Sequence, residues 1–402
     1  MRHALGWAQL PMTSKSGDIV GIQYLRGLAA IAVVIDHTVS MATFPKYFNV
    51  PHASALASYG MLGVNLFFVI SGFIIAYTSL EFRDGRYAAK ITVPAFSEKR
   101  FFRIVPVMWA AIALYMLGRF VGRDFTLNTT YLNAFLLLPF GNVEPNQIWT
   151  LRQELFFYIM FAISFLRPRQ APWLIGLWGL SPLLYAIVAG PRPSIDAAHQ
   201  FLWLATFPMN ITFLVGLAIG LLHLRLDGNA TIRVGHFAFP LAIAMMAILW
   251  GIGFAFDLHV DDLRSALFTS LICGPIVLVA TRLDCPGGIL DRFGRLLGKA
   301  SFAIYLFHPH AASASLGILA RLLHRTHFAP AATISTLIAV LAGILAHYCI
   351  EEPVHKACRR LASRMRGRTS NRLAETIVES QLSATPTLTG LGKTVSISHR
   401  NT

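Results

Sequence analysis

Charge is scarce in this chain. Only 13% of its 402 residues are Asp, Glu, Lys or Arg, about half the fraction of an ordinary soluble domain. Together with 55% hydrophobic residues and a mean hydropathy of +0.57, that scarcity excludes a soluble globular protein and implies a polytopic membrane protein. Acidic residues are the shorter supply, 19 against 34 basic ones, for a net charge of +15. In a soluble chain this surplus would suggest nucleic acid. Here it follows the excess of Lys and Arg in cytoplasmic loops of membrane proteins, and no nucleic-acid partner is expected. Cysteine is also sparse: Cys273, Cys285, Cys349 and Cys358 show no C-x-x-C spacing, which argues against a disulfide framework and a zinc site. No P-loop, H-E-x-x-H or other metal-ligand cluster occurs, so no metal is expected. Neither a cleavable leader nor an inverted repeat of the transporter kind is evident.

Long apolar runs are what the chain does have. Ten are long enough to span a bilayer, near 21–43, 60–80, 101–121, 148–166, 171–189, 200–222, 236–256, 265–282, 300–320 and 330–350. The fold class expected is all-α, a helical bundle with about ten transmembrane helices. A further run, 131–140, is too short and suits an interfacial or re-entrant piece. With the N-terminus inside, the outer face keeps only Lys46, Arg119, Arg123, Arg192, Arg264, Arg321 and Arg325. The remaining loop cations and the basic C-terminal segment lie on the inner face, so both termini are expected in the cytoplasm. Residues 1–20 read as a cytoplasmic N-terminal segment and 21–353 as the transmembrane domain. Residues 354–402 read as a basic, disordered cytoplasmic tail whose cluster from Lys356 to Arg368 meets anionic lipid.

The first run carries ionisable residues that an apolar span does not need. Arg26 and His37 are eleven residues apart, close to three helical turns and about 16 Å along the axis, so they share a face. An ionisable group at the depth of His37 costs at least ~2.5 kcal/mol and turns toward a protein interior or a wet cavity. His37 is then either a hydrogen-bonded core histidine or a proton acceptor below a cationic mouth at Arg26. Arg26 on the same face favours the second.

Other stretches also carry polar groups into apolar runs. In the sequence from Phe96 to Pro106, a helix starting near Glu98 would place Arg100 and Arg103 on one face with Lys99 alongside. That is a receptive place for phosphate if the helix N-terminus is close by; plain positive-inside anchoring is the alternative. Glu154, with Arg152, lies about one turn into the fourth run. Two residues apart is an awkward spacing for a pair on a helix, so Glu154 is expected to find a partner on another span, a histidine in a shared cavity being a natural one. His308 sits inside the ninth run as a second candidate polar site, and Glu351 closes the tenth on the cytoplasmic side, where a carboxylate is cheap. The stretch from Gly63 to Phe73, with Ser71 and Gly72, reads as helix packing. Ser71 lacks the G-x-S-x-G context of a nucleophile.

Taken together, Arg26-x10-His37, Lys-Arg100-x-x-Arg103-Ile-x-Pro, Trp149-Thr-Leu-x-x-Glu154, Ser301-Phe-x-Ile-Tyr-Leu-x-His308 and Glu351-x-Pro353 resemble the membrane acyltransferase-3 family, in the family's order and across nearly the whole chain between the two tails. The resemblance implies O-acylation of cell-surface glycans in a bacterial inner membrane, closest to members that modify exopolysaccharides. It implies a catalytic His37 with Arg26 as its companion, and Arg100 and Arg103, with Lys99, contacting an acyl-CoA donor (acetyl-CoA above all) from the cytoplasm. Glu154 would orient or charge-balance the imidazole. The acceptor would be a polysaccharide or lipid-linked oligosaccharide, reached with or without an export machinery as partner, and membrane lipid surrounds the whole. Asn65 departs from the family, many members of which carry an acidic residue there, and Phe302 stands where Tyr is common. From the residues alone two rivals stand: a proton-coupled transporter using His37 and Glu154 as a relay, and a structural partner in a polysaccharide export complex.

Overall fold

The computed structural model describes residues 19–50, 58–122, 125–166, 170–190, 200–226, 232–233, 235–258, 262–284 and 287–364. The expected N-terminal segment to residue 18, Cys285 and the tail beyond 364 lie outside them. Among the described residues the chain forms, in order, α1 (Val20–Ala42), α2 (Leu62–Ser79), α3 (Val93–Val121), α4 (Thr129–Leu136), α5 (Ile148–Leu166), α6 (Ala171–Gly179), α7 (Ser181–Ala189), α8 (Gln200–Ala205), α9 (Met209–Arg225), α10 (Ala238–Phe256), α11 (Leu263–Ala280), α12 (Ile289–Leu322) and α13 (Phe328–Ala346). A π-helical turn, His347–Glu351, closes α13. Residues 354–364, expected in an irregular tail, are helical. A small hairpin, β1 (Leu80–Arg83) with β2 (Arg86–Ala89), joins α2 to α3. The chain is an all-α membrane bundle.

Eight helical segments among the described residues are long and apolar enough to cross a bilayer, or nine if the pair α6–α7, bent by 56°, counts as one crossing. The sequence suggested ten. The run at 148–166 falls short because Arg152, Gln153 and Glu154 occupy its second turn. The run at 171–189 is broken because Pro182, at the start of α7, has no N–H to continue the ladder.

Packing between helices decides how these two pieces count. Val69 and Phe73 of α2 meet Gly216 and Gly220 of α9 in the same order, and Tyr24 and His37 of α1 meet Gly294 and His308 of α12 in the same order. Each pair is therefore parallel, which requires an odd number of crossings between its members. Between α2 and α9, α3 alone satisfies this, and so do α3, α5 and the bent pair together. The bent pair without α5 does not. Gln147, just ahead of α5, donates to the carbonyl of Leu306 (3.1 Å), whereas Phe161 and Phe165 near its other end pack on Phe96 in the first turn of α3. α5 therefore starts beside the middle of α12 and runs toward the start of α3. Counting it with the bent pair gives ten crossings. The short run at 131–140 holds α4, capped by the Asn128 side chain on the Thr130 N–H (3.1 Å) and tied to α3 by Trp109 Nε1 donating to the Phe135 carbonyl (2.9 Å).

Glycine sets the closest contacts. A Cβ built on Gly216 would lie 1.9 Å from the Val69 carbonyl oxygen, so only Gly lets α2 and α9 approach this far. Gly216→Val should destabilise the folded protein by about 1–3 kcal/mol or more, the scale of core overpacking. Gly118→Ala, with nothing within 4 Å of its Cβ, should be neutral. Thermal unfolding in detergent compares the two. Equal midpoints would show that the α2–α9 contact is dispensable.

Candidate active site

α1 and α12 hold the polar centre between them. The His37 and His308 rings stack at 5.0 Å between centroids, with Nδ1 of His37 2.8 Å from Nε2 of His308. The nitrogen Nδ1 of His308 faces two carbonyl oxygens of its own helix, Tyr305 at 2.8 Å and Ile304 at 3.1 Å. Carbonyl oxygens only accept, so in the neutral pair His308 carries its proton on Nδ1 and offers a lone pair at Nε2. His37 then donates through Nδ1, which leaves its own Nε2 as the unprotonated nitrogen. The backbone of α12 thereby sets the tautomer of a ring on α1. The His37 side chain keeps 27% of its surface uncovered, and Asp36 Oδ2 lies 3.9 Å from Nε2, beyond hydrogen-bond distance.

A cleft of about 660 Å³, its mouth included, opens on the Arg26 side of this pair. Arg26 of α1, Ser71 of α2, Arg103 of α3, Glu154 of α5 and Ser301 and Tyr305 of α12 bring polar groups to it, and Val64, Phe67, Ile70 and Leu151 are among its apolar lining. Arg26 lies in the fields of Glu351 and Glu154, which attract it, and of Arg103, which repels it. Tyr305 links the two parts. It lines the cleft, its ring is 6.1 Å from that of His308, and its hydroxyl is 2.6 Å from Thr150 Oγ1 and donates to the Gln147 carbonyl at 3.1 Å.

Several expectations change at this resolution of detail. Glu154 does find a partner on another span, but it is Ser71 Oγ (3.2 Å), together with the Tyr158 hydroxyl one turn along its own helix. The hydrogen bonds of Glu154 and His37 do not meet, and the carboxylate's field acts on Arg26. Arg152 donates to the Gly141 carbonyl (2.9 Å). Arg100 and Arg103 are not at a helix N-terminus. α3 begins at Val93, with Thr92 extended at its N-cap and Pro94 in the first turn, so both lie inside the hydrogen-bonded ladder. They also face different cavities. Arg103 lines the cleft, whereas Arg100 lines a groove between α3 and α5 and donates to Thr78 Oγ1 (3.0 Å). Lys99 is exposed and lines neither.

Glu351 is not a cheap surface carboxylate: it is buried and bonded to His347 Nδ1 at 2.7 Å. It is the last residue of the π-helical turn, a feature frequent at functional sites. Asn65 is buried and donates to Thr269 Oγ1 of α11 (2.9 Å), a helix–helix tie. Trp149 sets its edge against Phe207 and does not line the cleft. Thr150, Tyr305 and His347 were not singled out from the sequence. The first two stand inside stretches read for Glu154 and His308, and the His-x3-Glu spacing of His347 and Glu351 on one helical face was the available signal for the third. Cys273, Cys349 and Cys358 are free, and no three His, Cys, Asp or Glu residues among those described are grouped to hold a metal ion.

Comparison with known proteins agrees with the motifs. Residues 19–348 match the model of the acyltransferase domain Acyl_transf_3. The chain is 30% identical over 331 residues to the exopolysaccharide production protein ExoZ of Rhizobium meliloti (strain 1021), covering 77% of this chain and 94% of that one. It is 24% identical over 383 residues to the acyltransferase MdmB of Streptomyces mycarofaciens, covering 85% and 92%. No solved structure matches it. The chain belongs to the acyltransferase-3 family and is a multi-pass membrane acyltransferase.

Proposed function

We propose that this enzyme moves an acetyl group from cytoplasmic acetyl-CoA to a hydroxyl of an exported polysaccharide or its lipid-linked precursor, in a bacterial inner membrane. The observation that carries the reading is the order of groups along α1 and α12. A cleft with two guanidiniums, Arg26 and Arg103, lies on one side of Tyr305, and a histidine with a defined free nitrogen lies on the other. Guanidiniums recognise phosphate through charge-assisted hydrogen bonds. The apolar remainder of the cleft suits the pantetheine arm. The polysaccharide acceptor follows the name of the ExoZ relative.

In the proposed reaction His37 Nε2 takes the proton of the sugar hydroxyl as the oxygen attacks the thioester carbonyl. The carbon–sulfur bond breaks, the CoA thiolate leaves, and the proton on His37 passes to that sulfur. While protonated, the imidazolium is held by His308 Nε2 at 2.8 Å and by the Asp36 carboxylate 3.9 Å away. Glu154 and Glu351 offset the charge of Arg26 until donor phosphate arrives.

Sealed vesicles of both orientations test the chemistry and the sidedness together. Labelled acetyl-CoA supplied on the face of the N-terminus should label polysaccharide as a base-labile ester, and the same donor on the opposite face should not. Ester formation from the opposite face would overturn the orientation. Binding without ester from either face would overturn the transfer reaction.

A further inference from the structure

Arg100 faces a second cavity that the proposed transfer does not use. The groove between α3 and α5 takes in about 640 Å³, its open side included, with Phe96, Ile104, Leu137, Tyr158 and Ala162 among its walls. Among the described residues, Arg100 is the only charged one in its lining. Its guanidinium sits 5.3 Å from the centres of both the Phe96 and Tyr158 rings, and its Nε–H is buried without a hydrogen-bond acceptor. Such a lining offers a sugar or a nucleotide almost no hydrogen bonds, and burying their polar groups there would be costly. A hydrocarbon chain meets no such cost.

Position along α3 supplies the other half of the argument. The helix has 29 residues, about 43 Å at 1.5 Å each, against a hydrocarbon core of about 30 Å. Its first turns therefore project into the headgroup layer. Arg100 lies about 10 Å from the helix start, at the boundary between headgroups and chains, with exposed Lys99 beside it. Below that level the groove runs past Ile104 and Val105. Phe101 and Ile159, on its rim, are left uncovered by the rest of the protein, as is most of α3. The groove is thus open to the bilayer from the side and carries positive charge only at its headgroup end.

We infer that this groove holds one acyl chain of an anionic glycerophospholipid of the leaflet on the Arg100 side, with the lipid phosphate against Arg100 and Lys99. The bound lipid also touches the active-site wall. Ile104 lines both cavities, and Tyr158, under the Arg100 guanidinium, donates its hydroxyl proton to Glu154 in the cleft.

The test uses the full-length protein in bilayer discs of phosphatidylcholine with and without phosphatidylglycerol, followed by mild delipidation and native mass spectrometry. The wild type should retain phosphatidylglycerol in preference to phosphatidylcholine by about tenfold, because both lipids carry the phosphate but only phosphatidylglycerol keeps a net negative charge for Arg100 and Lys99 to attract. Arg100→Gln should abolish the preference and still retain a lipid, because the apolar walls remain. Ala162→Trp, which fills the groove, should release the lipid whatever its headgroup. Ile159→Trp, on the uncovered rim, repeats that test without a new side chain in the protein core. Equal retention of the two lipids by the wild type would overturn the inference. So would unchanged retention in both folded Trp variants, or displacement of the lipid by a long-chain acyl-CoA, which would make the groove a donor site.

Discussion

His37→Gln is expected to lower acetyl transfer by ~10²-fold or more, the usual scale for lost proton-transfer catalysis, while donor binding is kept. The expectation rests on which nitrogen is free. Two α12 carbonyls hold the proton of His308 on Nδ1, and His308 Nε2 in turn holds the proton of His37 on Nδ1, leaving His37 Nε2 to accept the hydroxyl proton. A glutamine amide still donates to His308 Nε2 and so preserves the α1–α12 contact, but it has no nitrogen lone pair to accept a proton at neutral pH. The substitution therefore separates a histidine that ties two helices from one that moves a proton. Single-turnover transfer of labelled acetyl, with acetyl-CoA binding measured on the same preparation, reads both quantities. A well-folded His37→Gln protein that transfers at near the wild-type rate would remove His37 from the chemistry.

Most of the bundle and half of the site were legible in the chain itself. Arg26, His37, Glu154 and His308 stand out because a charge or an imidazole inside an apolar run needs a reason. The structure gathers Arg26 and Glu154 at the cleft and His37 with His308 beyond it. What was illegible follows from three physical causes. The start of α3 is fixed by Thr92 and Pro94 after a hairpin, so apolar length alone placed it too late and joined Arg100 to Arg103 as one phosphate site. Glu351 is buried at the end of a π-helical turn, which shifts the helical phase without a mark in composition. Thr150 and Tyr305 are neutral hydrogen-bonding residues, common enough in membrane helices that only a partner on another span distinguishes them. The ten runs read from the sequence include 148–166 and 171–189, the two that length and composition leave out or break in the structure; the parallel packing of α2 with α9 counts them together or not at all.

Arg103→Gln is expected to weaken acetyl-CoA binding by about 10- to 100-fold, or roughly 1.4 to 2.8 kcal/mol, the scale of a lost charge-assisted hydrogen bond to phosphate. Arg100→Gln, three residues earlier on the same helix, should change it by no more than a few-fold, because its guanidinium faces the lipid-side groove and Thr78 rather than the cleft. Charge count alone cannot produce this difference, since each substitution removes one positive charge from the same face of the membrane. Geometry can, because Arg103 shares the cleft with Arg26. Arg103→Gln also leaves Arg26 alone with Glu154 and Glu351, so a thermal melt must accompany the titration, and Arg103→Lys serves as the variant that keeps the charge while losing the planar fork. Lys is expected to recover part of the affinity. Isothermal titration with acetyl-CoA in detergent measures all three. Equal losses for Arg100→Gln and Arg103→Gln would return the two arginines to a single phosphate site. No loss for either would move the donor away from α3, and the cleft would then have to be reassigned to the acceptor.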